Sequence, residues 1–225
     1  MFHVKQILSL TFLLIVFSGK SQSALVFKES PVVSPAMDDK VVLGWNEQQG
    51  GYNKLSSSEK EFYYWVNYSR LNPGDFMEKI VRPLSKVYPQ LKGGNLNSLE
   101  TDLKSVTELT MFSLNDGLLS MAASHAGNIT SANAQPSHVS PNGEAFEERF
   151  KNFGLKNCGG ENISYGSGEA NPLFMLVMLY LDINVSNLGH RKALLNPQYV
   201  YTGISIKKYK NGNAFLVEDF ACSQK

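Results

Sequence analysis

The spacing of apolar side chains changes period along this chain, and that change sets the fold class. From Ser57 to Asp182 apolar residues recur mostly at helical spacing, interrupted by one short strand-like run from Glu161 to Tyr165. From Tyr199 onward two strand-like runs follow, Tyr199 to Tyr209 and Ala214 to Phe220, separated by Lys210-Asn211-Gly212-Asn213. An Asn-Gly pair between such runs predicts a hairpin, because both residues accept the positive φ of a tight turn. Helices first and antiparallel strands last predict an α+β domain.

Within the helical part, Ser57 or Ser58 caps a helix that ends at Leu71, and Asn72-Pro73 stops it and starts another with Phe76 and Ile80 inside. Gly93-Gly94 forms a turn before a helix over Ser98 to Leu109. The strongest periodicity follows Asn115 and Asp116, with Leu118, Leu119, Ala122, Ala123, Ala126 and Ile129 on one period. A helix spans Glu144 to Phe153, and Pro172 opens a very apolar one that ends near Asp182.

Lys5 precedes an uncharged run from Ile7 to Phe17, which has the length of a signal-peptide core and is too short to span a bilayer. Ser21 and Ser23 fit a signal-peptidase site, so residues 1–23 are expected to be a signal peptide; an uncleaved membrane anchor is the alternative. Residues 24–57 contain Pro31, Pro35 and Gly50-Gly51 with little periodicity, and are expected to be an extended leader before a folded unit over 58–225. No later run is long enough for a transmembrane segment, so a secreted, extracytoplasmic protein is expected, and a monomer.

Charge narrows the partners. With 21 Lys+Arg against 20 Asp+Glu there is no surplus of cations to meet nucleic acid, and no Gly-rich phosphate loop indicates a nucleotide cofactor. The two cysteines, Cys158 and Cys222, can pair in an oxidising compartment, closing a loop that the chain-entropy model values at about 4 kcal/mol. A nucleophilic Cys158 served by a histidine is the competing reading.

Three groups suited to metals or proton transfer lie outside the predicted elements: His138, Glu161 after Gly159-Gly160, and His190 after Gly189. Two imidazoles and a carboxylate suit Zn²⁺ or another divalent cation, or acid and base work near neutral pH. Spacing alone leaves open three unrelated polar residues. His125, on the most periodic helix, is read as a packing residue.

The ordered set of Asn67 and Arg70, Leu118 with Ala122 and Ala123, Ser137-His138, Asn142-Gly143, Gly160-Glu161-Asn162-Ile163, Asp182, Gly189-His190-Arg191, Leu195 and Pro197, Gly203-Ile204 and Phe220-Ala221 resembles the CAP superfamily of cysteine-rich secretory, antigen 5 and pathogenesis-related proteins, in its cysteine-poor bacterial branch. The resemblance implies a three-layer α-β-α sandwich with a small antiparallel sheet. It also implies a cleft floored by two histidines and two acids, here His138, Glu161, His190 and Asp182, that holds divalent metal in some members. The chain departs from the family pattern twice. A Glu beside a Trp gives way to Met178-Leu179-Tyr180-Leu181-Asp182, and His-Tyr/Phe-Thr-Gln gives way to His190-Arg191-Lys192-Ala193.

Three functions follow as expectations. The first is a module that binds an extracellular ligand or protein in this cleft, with His138, His190 and Glu161 as metal ligands. The second is a metal-dependent hydrolase with Glu161 as general base, and the third a lipid- or sterol-binding module.

Overall fold

Ser56 opens the first long helix of the fold by a reciprocal cap. Its hydroxyl accepts the Glu59 N–H, and the Glu59 carboxylate accepts the Ser56 N–H at 2.8 Å, which opens α2 (Ser57–Leu71). The computed structural model describes residues 33–107, 109–167 and 171–224. The proposed signal peptide and the first part of the leader lie outside the described residues.

The leader is not extended throughout. Asp39 accepts the N–H groups of Val41 and Val42 and so caps α1 (Lys40–Glu47), which buries Val42 and Asn46; the Trp45 indole donates to the Phe112 carbonyl at 2.9 Å. The sequence hides this helix because its apolar stripe is only two turns long, and contact with α2 rather than propensity stabilises it.

After α2, Asn72-Pro73 leads into α3 (Pro73–Phe76), then a wider π turn over Met77–Val81, then α4 (Arg82–Val87). The next helix, α5, runs over Gly94–Ser105 and starts four residues earlier than its periodicity predicts. β1 (Ser113–Leu114) is too short to show any alternation. Asn115 then caps α6 (Asp116–Ser131), followed by α7 (Phe146–Asn152), β2 (Gly159–Gly166), α8 (Pro172–Leu181), α9 (Gly189–Leu194), β3 (Tyr201–Lys208) and β4 (Ala214–Ala221).

The sheet order is β1-β3-β4-β2. β4 pairs antiparallel with both β2 and β3, and β1 adds a parallel edge beside β3. Period-2 alternation in β4 divides the core into the two sides of a sandwich. Phe215, Val217 and Ala221 meet Ala122, Ala126 and Ile129 of α6 and Phe150 of α7, whereas Leu216 and Phe220 join the larger cluster built from α2, α3, α5 and α8. Each such side chain, buried completely, stabilises the fold by about 1.5–3 kcal/mol. The result is an α+β fold with helices on both faces of a small sheet.

Asn67 and Arg70 serve this architecture. Asn67 accepts the Phe112 N–H at 2.8 Å, and the buried Arg70 guanidinium donates to carbonyls of Thr110, Leu194 and Tyr199 while stacking 3.8 Å over Phe112. Cys158 and Cys222 form a disulfide with Cα atoms 5.4 Å apart, and the Cys222 N–H donates to the Cys158 carbonyl beside it. The start of β2 is thus fastened to the end of β4. No helix among the described residues is long and apolar enough to cross a membrane.

Candidate functional site

His138 lies in the loop after α6, and that loop is held from below. His125 of α6 is wholly buried; its Nε2 donates to the Ser137 carbonyl at 2.8 Å, since a carbonyl can only accept, and its Nδ1 therefore accepts from the Ser140 hydroxyl at 2.9 Å. Burial pushes the His125 pKa down, so it is held as the neutral ring this pairing requires. Arg149 of α7, 1% exposed, donates to the His138 carbonyl at 2.9 Å and the Glu144 carbonyl at 3.1 Å.

Arg149 also reaches Glu161 of β2. Its Nη2 lies 2.5 Å from one Glu161 oxygen, and the His138 Nδ1 lies 2.8 Å from the other. Burial raises the Glu161 pKa, but the His138 hydrogen bond and the fields of His125 and Arg149 outweigh it, and the carboxyl ends below its ordinary value. Glu161 is thus held toward its carboxylate form with both oxygens in hydrogen bonds.

Asp182 and His190 repeat the arrangement. Asp182 ends α8 in the left-handed region, with φ of 50°. The turn brings one oxygen to 2.5 Å from the His190 Nδ1 and the other to 3.0 Å from the Arg191 N–H. A short side chain suffices because the backbone itself turns it. A carboxylate only accepts, so in each dyad Nδ1 carries a proton, and in the neutral ring Nε2 presents its lone pair. Leu188, with φ of 52°, starts α9 in the same unfavourable region at a cost of order 1–3 kcal/mol.

The two histidines share one open cleft of about 470 Å³, lined also by Gly160, Glu161, Asn162, Asn187, Lys192, Asn196 and Tyr199. Gly160 is required there: a Cβ on it would lie 2.8 Å from the Tyr199 hydroxyl. Asp182 does not line the cleft; it stands behind His190 with its side chain fully buried. Among the described residues no three His, Cys, Asp or Glu side chains are placed to hold a metal ion together. His138, His190 and Glu161 therefore do not form a three-ligand set; the carboxylates back the imidazoles instead.

Three participants escape sequence reading: Arg149, Asp219 and Glu218. Arg149 sits in a charged helix that reads as solvent-facing. Asp219 and Glu218 break an otherwise apolar strand, and that was the available signal. Both are fully buried, and among the described residues the Glu218 carboxyl oxygens have no hydrogen-bond partner. Asp219 pairs across the sheet with Glu161. Burial, and for Asp219 also the Glu161 charge, pushes both pKa values well up.

A pH test follows for Glu218. Its folded-state pKa is raised, so the folded chain keeps a proton that the unfolded chain releases above about pH 4. The stability it contributes is complete below that pH and is lost as pH rises toward the folded value. Glu218→Gln cannot titrate, so its unfolding free energy relative to wild type should improve between pH 4 and pH 8. Denaturant titrations at both values check this, and a pH-independent difference would contradict it.

A three-layer sandwich with a cleft flanked by two histidine–carboxylate dyads defines the class of protein. The family model described as the cysteine-rich secretory protein family, CAP, matches residues 102–220, more than half of the chain, and the chain belongs to that family. Among solved structures it is similar to an extracellular protein containing an SCP domain from Bacillus anthracis str. Ames, at 21% identity and TM-score 0.44, over 61% of this chain and 43% of that one. It is also similar to an outer surface protein of Borrelia burgdorferi, at 19% identity and TM-score 0.42, over 64% of this chain and 94% of that one. The chain thus spans less than half the length of the first. No curated protein matches it.

Proposed function

We propose that this chain is an exported CAP module that binds ligand in the cleft between His138 and His190, with both Nε2 atoms as its contact set. One observation carries this. Both rings are tied through Nδ1 to a buried carboxylate, which fixes their orientation and leaves each Nε2, among the described residues, without a hydrogen-bond partner beside the same cleft. Export is supported by the Ile7 to Phe17 run and by the paired cysteines, with no free cysteine among the described residues.

The donor set fits a divalent cation that favours imidazole, such as Zn²⁺, held by His138 and His190 alone. Such an ion would supply a Lewis-acid anchor for an oxygen-bearing ligand. Glu161 and Asp182 then orient and enrich the two rings rather than ligate. Because Glu161 has no free oxygen, binding is favoured over hydrolysis.

Zinc titration by calorimetry tests the contact set. Wild type is expected to bind with a dissociation constant below about 1 mM, and His138→Ala and His190→Ala each to weaken it about tenfold or more. Zinc affinity unchanged in either variant would overturn the proposal.

A further inference from the structure

The cleft wall carries a charge that the dyads do not use. Lys192 lies on α9 two residues beyond His190, is exposed, and lines the same cleft. Its neighbour Arg191 turns inward, where its guanidinium meets Asp102 at 2.9 Å and donates to the Tyr180 carbonyl at 2.7 Å. Among the described residues no acid pairs with the Lys192 ammonium.

The acids near the cleft are all withdrawn from its surface. The Glu161 side chain is 2% exposed and meets Arg149; the Asp182 side chain is 0% exposed and its oxygens face His190 and the Arg191 N–H. The polar surface a ligand meets is therefore the Lys192 ammonium, two imidazoles, the amides of Asn187 and Asn196 and the Tyr199 ring, with both Glu161 oxygens already in hydrogen bonds. Such a surface repels no anion and has an unpaired donor for one.

Resting on the binding role proposed for this cleft, we infer that its ligand bears an oxyanion, a carboxylate or a phosphate, and that Lys192 is the residue that selects it. The ammonium is a point donor to an oxygen of either group, and a charge-assisted hydrogen bond is about twice as strong as a neutral one. A neutral ligand of the same shape gains less, because it lacks the opposite charge.

The test uses the full chain, freed of metal by a chelating resin, at about pH 8, where imidazoles of ordinary pKa are neutral and ammonium groups are charged. Inorganic phosphate, acetate and the neutral methyl glucoside are titrated at constant ionic strength, and the ring C–H resonances of His138 and His190 are followed by NMR. Saturable shifts with phosphate, with acetate or with both are expected, and none with the glucoside. The source of the oxyanion is read from which anion saturates first. Lys192→Gln should weaken binding about five- to tenfold, and Lys192→Arg should retain it.

Equal affinity in Lys192→Gln would overturn the role of Lys192. No saturation by about 50 mM of either anion would overturn the oxyanion preference. In that case a zinc titration of the same sample separates the two claims: zinc shifts at both histidines leave the binding cleft standing, and their absence removes it as well.

Discussion

Gly203→Ala is expected to lower the unfolding free energy by more than about 3 kcal/mol, because the added methyl has nowhere to go. A Cβ on Gly203 of β3 would stand 2.1 Å from the Leu118 carbonyl carbon, 2.3 Å from the Leu119 nitrogen and 2.5 Å from the Leu118 carbonyl oxygen. These are backbone atoms of the first turn of α6 and cannot rotate aside. The helix must lift from the sheet and loosen Met121, Ala122, Ala126 and Ile129 together, all of them 0–1% exposed. For a chain of this size the loss corresponds to a fall in Tm of about 6–12 °C. Gly127→Ala on the same helix is the control, since nothing lies within 4 Å of its Cβ. It should gain about 0.5–1 kcal/mol from helix propensity. A Gly203→Ala protein melting within about 2 °C of wild type would show that α6 does not bear on β3 as described.

Arg149→Met should be comparably damaging and should reach the cleft. The pair it breaks is buried on both sides, with side chains 1% and 2% exposed, and removing one partner of such a pair costs about 3–5 kcal/mol. Three further acceptors each lose a donor, the carbonyls of His138 and Glu144 and the Ser140 hydroxyl, although the Glu144 carbonyl keeps the Ser140 N–H. Glu161, without its guanidinium, loses one of the forces that hold its carboxyl ionised against burial. Arg149→Met/Glu161→Gln removes the stranded charge and should recover part of the stability, but not the orientation of His138. Thermal unfolding and zinc calorimetry on the single and double variants measure both effects. A single variant with wild-type Tm and zinc affinity would refute the keystone role of Arg149.

Position within the polymer explains what reading the chain could reach. The Asn115 cap, the Asn72-Pro73 break, the Asn-Gly hairpin and the helical periods are local, and each acts within a few residues of where it is written; the cap expected at Ser57 or Ser58 falls at Ser56. The short α1 and the two-residue β1 were not legible, because contact with α2 and with β3 stabilises them rather than any pattern of their own. Arg149 was hidden for a related reason: a charged residue on a seven-residue helix reads as solvated until a buried carboxylate is placed opposite it.

His138, Glu161, Asp182 and His190 were legible as residues, through the order of motifs around them and the chemistry of their side chains. Their division of labour was not. Only the packing of β2 under the 138–144 loop, and the left-handed turn at Asp182, decided that each carboxylate stands behind an imidazole instead of beside it. The sequence by itself determined an α+β chain with two pairable cysteines and four candidate site residues, because local propensity and side-chain chemistry need no partner to be expressed. Tertiary structure decided which carboxylate oxygens are spent and which face of each ring meets the cleft, because bonds between separate elements, 8 to 23 residues apart, exist only once those elements have packed.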